Sequence, residues 1–130
     1  MNVSDNIKQK RIAKYLDYTA NKARIHHSGG KQRIWAVALD NKNRIIAESG
    51  NHYLKTHPLQ ARYANMTNED KKINLHAEIG IVAILLRLNK TCHSLYIARV
   101  SPNNDVLLAK PCKICQEALN IAGIKNIHWT

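Results

Sequence analysis

Apolar and polar positions along this chain follow helical and strand-like rhythms in turn. From residue 5 to 26, Ile12, Tyr15, Leu16, Thr19, Ala20 and Ala23 fall at helical spacing with basic residues between them. That spacing predicts an amphipathic helix, with Ser4 as its N-cap. Arg33 to Leu39 and Arg44 to Glu48 are short and apolar-rich, and Asp40-Asn41-Lys42-Asn43 between them predicts a hairpin. Leu75 to Leu88 is apolar almost all round through Ile79, Ile81, Val82, Ala83, Ile84, Leu85 and Leu86. Such a helix is expected to be buried. Leu95 to Val100 reads as a third strand, residues 101 to 105 as a turn, and Val106 to Ala109 as a short extended return. Pro111 opens a helix through about Ala122, Gly123 stops it, and Ile124 to Trp129 forms a last strand.

The order α-β-β-α-β-α-β predicts a three-layer α/β/α domain. Its sheet is mixed, a β-hairpin followed by strands made parallel by helical crossovers. Residues 50 to 74 form a polar connection too long to be structureless, expected to carry a short helix or functional groups. At 130 residues the chain is expected to be one domain, 1–130, with a core of its own. No apolar run reaches 18 residues, so no membrane span is expected. The start Met-Asn-Val-Ser-Asp-Asn lacks the basic-then-apolar pattern of a secretory signal.

Charge changes the picture. Twenty Lys and Arg against nine Asp and Glu give +11, and Lys8, Lys10, Arg11, Lys14, Lys22, Arg24, Lys31 and Arg33 crowd the first quarter. The excess suits a phosphate-bearing partner, a nucleotide or a nucleic acid, or else a solvated helix face. Single-strand binding needs exposed aromatics. The chain has no Phe, and of its aromatics only Tyr53 and Tyr63 fall outside positions expected to pack. A small-molecule substrate is therefore the first expectation.

The chemistry concentrates in His76-Ala77-Glu78 and Pro111-Cys112-Lys113-Ile114-Cys115. His76, Cys112 and Cys115 make three zinc ligands, the number a catalytic zinc takes when it keeps a fourth position for water. One zinc per chain is expected. Glu78, two residues from the histidine, is better placed to handle protons than to bind metal. His76 would lie in the first turn of one helix, and Cys112 and Cys115 (i, i+3) in the first turn of another. Both helix dipoles would then favour thiolate. Cys92 is left unpaired, and a free thiol beside a thiolate site suits a reducing cytoplasm. Thr56 and His57 could reach the site from the polar connection, or belong to a polar surface loop. His26 and His27 are expected to cap the first helix's C-terminus.

H-x-E paired with P-C-x-x-C is the signature of zinc-dependent nucleobase deaminases. On those residues the chain resembles the cytidine deaminase superfamily, whose core order is the one predicted above. The resemblance implies a cytidine/deoxycytidylate-type deaminase, a zinc-dependent hydrolase attacking C4 of cytosine or C6 of adenine, with catalytic Glu78 moving the protons. It implies that the Ala77 N–H and the carbonyl of Pro111 hold the base. It also implies that Asn51, after Gly50, bonds sugar or base; the alternative for Asn51 is a self-bonding turn residue. The family usually adds a fifth strand, and none is visible up to Thr130. A homo-oligomer covering that sheet edge is therefore expected. The leading substrate is a free cytosine nucleoside or nucleotide. The alternatives are a polynucleotide deaminase acting on single-stranded DNA or RNA, including tRNA, and a non-catalytic zinc-stabilised binding protein.

Overall fold

Side chains alternate across a strand, and in β1 (Arg33–Leu39) that alternation separates two cores. Ala36 and Ala38 face one side of the sheet, Val37 and Leu39 the other, and all four are fully buried. The structure is a computed structural model that describes residues 3–66 and 74–130. Around β1 it places β2 (Ile45–Gly50), antiparallel from Trp35↔Gly50, and β5 (Ser94–Val100), antiparallel from Arg33↔Val100 to Leu39↔Ser94. Two strands share the far edge of β5. β7 (Asn126–Trp129) runs parallel along Ser94 to Ile97, and the two-residue β6 (Val106–Leu107) pairs antiparallel at Arg99 and Val100. No strand lies beyond β7 among the described residues.

α1 (Val3–Ile25) covers the Val37/Leu39 face, packing Ile12, Tyr15, Leu16 and Tyr18 on Val37, Leu39 and Tyr96. On this face Glu48 Oε1 accepts from Tyr18 Oη at 3.0 Å and Trp35 Nε1 at 3.1 Å. The expected cap Ser4 falls on a side chain outside those described. The opposite face is covered by α3 (Ala77–Leu88) and α4 (Lys113–Ile121), with α2 (Pro58–Met66) against both. The alanines of β1 let α3 approach closely. Its Gly80 has no room for a side chain, because a Cβ there would run into Ser49 of β2.

The three-layer α/β/α architecture and mixed sheet are thus observed, with differences in detail. The polar connection contains β3 (His52–Thr56), α2 and β4 (Asn74–Leu75), with β3 and β4 antiparallel. α3 is buried over Ala77 to Val82 but not all round, since Leu86 is 66% and Leu88 46% exposed. His26 and His27 do not cap α1. That role falls to Arg33, whose Nη1 donates to the Arg24 carbonyl, while His26 Nε2 bonds the Asn51 carbonyl at 2.7 Å. No helix among the described residues is long and apolar enough to cross a membrane.

Candidate metal centre

Two chain crossovers bring the site together at one end of the sheet. β2 ends there at Gly50, and the chain returns through α2 and β4 to start α3. β5 ends there at Val100, and the chain passes β6 to start α4. His76 is the N-cap of α3 and Cys112 the N-cap of α4. Both are extended (φ −89°, ψ 151° and φ −69°, ψ 171°), and neither side chain makes a capping bond. Each ligand therefore sits one residue ahead of the helical turn expected for it, beside amides that have no intrahelical partner. Cys115 follows in the first turn of α4, fully buried.

The three ligand atoms lie within 4.8 Å of one another, so the group could hold a metal ion. His76 Nδ1 is 3.3 Å from Cys115 Sγ and 3.5 Å from Cys112 Sγ. The hydrogen bond from Cys115, helped by His76 and opposed by burial, draws the Cys112 thiol down to about 4. Cys115 is pushed up, first by giving that hydrogen bond and then by burial and the nearby Glu78. A bound cation would favour thiolate at both sulfurs. The donor set of one imidazole and two thiols suits zinc chemistry.

Glu78 adjoins this cluster. Its side chain is 5% exposed, and burial raises its carboxyl above the usual range. Its own amide, His76 and a hydrogen bond with Cys115 pull the other way. A carboxyl raised by burial beside a cluster of metal-ligating groups is a candidate proton carrier.

The other expected residues are placed less directly. Ala77 is fully buried as the first residue of α3, where its N–H is one of the helix's unpaired starting amides. The Pro111 carbonyl already accepts from Gln116 Nε2 at 2.7 Å, so a substrate amino group would share or displace that bond. Asn51 is buried at the end of β2. Its Oδ1 accepts from the Ile34 amide at 3.0 Å, and its Nδ2 donates to the Gln32 carbonyl at 3.1 Å. One N–H and one lone pair of its amide stay uncommitted by these bonds. His57 caps α2: its Nδ1 accepts from the Leu59 amide at 3.0 Å, ahead of Pro58 at the first helical position. The backbone of Thr56 ends β3, and its side chain lies outside those described.

Sequence reasoning passed over Gln60. It is 0% exposed on α2, and its Oε1 accepts from the backbone N–H of His76 at 3.1 Å. It therefore fixes the segment that carries the histidine. A polar residue in a polar connection gives no sequence signal of such a role; only the pairing with His76 across 16 positions reveals it. No protein-family model matches this chain, and no curated protein matches it.

Proposed function

We propose that this chain is a zinc-dependent nucleobase deaminase, acting first on cytosine in a free nucleoside or nucleotide. One observation carries the reading: a buried carboxyl, Glu78, two residues from His76 and beside a His/Cys/Cys cluster to which it does not belong. That is the division of labour a hydrolytic deaminase needs, with three metal ligands and a separate proton carrier. The three-layer fold and the two helix N-termini converging on the cluster support it.

A zinc ion on His76, Cys112 and Cys115 would supply Lewis-acid activation of water. The remaining work falls to this chain. Glu78 takes a proton from the attacking water as its oxygen bonds C4, and passes that proton to N3 of the ring. It then carries the second water proton to the amino group. The C4–N bond breaks, ammonia leaves, and the ring keeps a carbonyl at C4. On the resemblance, the Ala77 amide and the Pro111 carbonyl would orient the base, the latter in place of its bond from Gln116.

A second reading, deamination within a polynucleotide, is favoured by the charge. Against a net charge of +11, the one ion pair among the described residues is the exposed Arg44–Asp40 bridge. A screen of zinc-loaded protein on cytidine, deoxycytidine, deoxycytidylate, adenosine, single-stranded DNA and tRNA separates the readings. Release of ammonia from a monomer that disappears in Glu78→Ala is expected. Turnover of polymers alone would shift the proposal to the second reading. Tightly bound metal with no turnover of any of these would end both.

A further inference from the structure

The end of the sheet that carries the metal cluster has a second concavity, on the α1 side. A cleft of about 540 Å³ is lined by Arg24, His26, His27, Gly29, Gly30 and Arg33 among others. Its two guanidiniums converge on one residue. Arg24 Nε donates to the Asn104 carbonyl at 3.3 Å, and Arg33 Nη2 donates to Asn104 Oδ1 and to the Ser101 carbonyl at 2.7 Å. Asn104 holds a left-handed backbone (φ 68°) to present both oxygens. Arg33 also satisfies the Arg24 carbonyl, which offsets the partial negative charge of the α1 C-terminus.

All these acceptors are neutral oxygens. Neither guanidinium meets a carboxylate among the described residues; Asp105, the next residue along the turn, engages Ser101 through its backbone instead. Two like charges are thus fixed side by side, their planar donors only partly used, with no anion to balance them. Guanidiniums in that state bind phosphate oxygens, often through two parallel bonds.

The cleft lies at the same end of the sheet as the metal cluster. β1 starts at Arg33 opposite Val100, and Gly50 lies opposite Trp35. His26 fills the space over Gly50 and bonds the Asn51 carbonyl, while Ser49, one residue earlier, packs on Gly80 of α3. Metal cluster and cleft therefore occupy the two faces of one sheet end.

We infer that Arg24 and Arg33 form a phosphate site, holding a phosphate carried by the substrate. The inference rests on the proposed function for what else the substrate carries, and on the cleft alone for its phosphate. The phosphate comes either from a nucleotide itself or from a neighbouring phosphodiester.

The test reads binding, not turnover. A fluorescein-labelled oligodeoxycytidylate of about eight nucleotides is titrated by anisotropy at several salt concentrations. Arg24→Gln/Arg33→Gln is expected to weaken it about tenfold, and to flatten the slope of log K against log salt by about 1.4, or about 0.7 for each single-strand phosphate no longer neutralised. Lys42→Gln/Lys90→Gln removes equal charge at the opposite end of the sheet and is expected to leave both unchanged. Because Arg33 also braces α1, Arg24→Gln alone (half the effect) and Arg33→Lys (salt slope kept, binding weakened by loss of the paired bonds) test the site in folded protein. Deoxycytidylate displacing the probe where deoxycytidine does not, and losing that ability in Arg24→Gln, assigns the phosphate to the nucleotide. Arg24-dependent binding of the oligomer alone assigns it to the phosphodiester. Equal weakening by the Lys42/Lys90 pair, or unchanged binding in Arg24→Gln, overturns the site. Silence in the deamination screen leaves a localised binding result standing, and turnover with no localised binding retires the phosphate site alone.

Discussion

Helices α3 and α4 both start on an extended residue whose side chain belongs to the metal cluster, yet they treat a nearby carboxylate in opposite ways. On α3, Glu78 is buried together with the rest of Ala77 to Val82, because the helix is enclosed by β1, β2, α2 and α4. On α4 only Ile114, Cys115, Ala118 and Leu119 are buried, and Glu117 stays in solvent. Desolvation raises the Glu78 carboxyl above the usual carboxylate range. Under the proposed function, the helix that supplies one ligand is the one that moves the proton. The helix that supplies two is built to hold charge.

The largest effect should come from exchanging the carboxylates for amides one at a time. Glu78→Gln should lower deamination about 10²–10⁴-fold while metal content, read by mass spectrometry, stays at one ion per chain. Glu117→Gln should leave both within error. Equal losses in the two variants would erase the contrast between the helices.

Next comes the support that the start of α3 receives from α2. Gln60→Leu removes the acceptor of the His76 amide and should cost about 1–3 kcal/mol in denaturant unfolding. Metal affinity should fall about 10–100-fold, the usual cost of losing a residue that orients a ligand. Gln60→Glu, which keeps an acceptor, should recover most of the affinity. If Gln60→Leu unfolded less readily or bound metal as before, α2 would have no part in positioning the histidine.

The smallest effect lies on the α1 face, away from both helices. His128 stacks on Tyr96 with ring centroids 5.0 Å apart, and burial followed by the charge of Lys8 lowers its pKa below the usual 6.5. The unfolded chain therefore binds the proton first. Stability should be full above pH 6.5 and decline as the pH falls from there through the folded value. His128→Phe, which keeps the stack, should flatten that decline in thermal unfolding measured between acidic and neutral pH. An unchanged decline would place the acid sensitivity elsewhere.

Legibility from sequence followed the range of the forces involved. β1 begins and ends where its apolar run does, at Arg33 and Leu39. β2 runs on past the apolar residues to Gly50, because Ser49 and Gly50 are held by backbone pairing to Ala36 and Trp35 rather than by their side chains. β3, α2 and β4 left little trace, since short strands and a polar nine-residue helix depend on partners far along the chain. In the site, the ligand trio was readable because metal chemistry restricts residue types and spacing. The roles of Gln60 and Arg33 were not, because each is set by a backbone group that only tertiary structure brings near.

The two helix starts also constrain what selection can do with this chain. A helix normally begins on Ser, Thr, Asp or Asn, whose side-chain oxygen closes on the first free amides and contributes about 0.5–2 kcal/mol. Positions 76 and 112 forgo that contribution, their side chains being turned to the metal cluster instead. Asp or Ser at either place would make a sturdier fold and an emptier one. The centre survives only while retaining ligands outweighs a gain in thermal tolerance, so a lineage with no use for the metal should lose it at these two starts first.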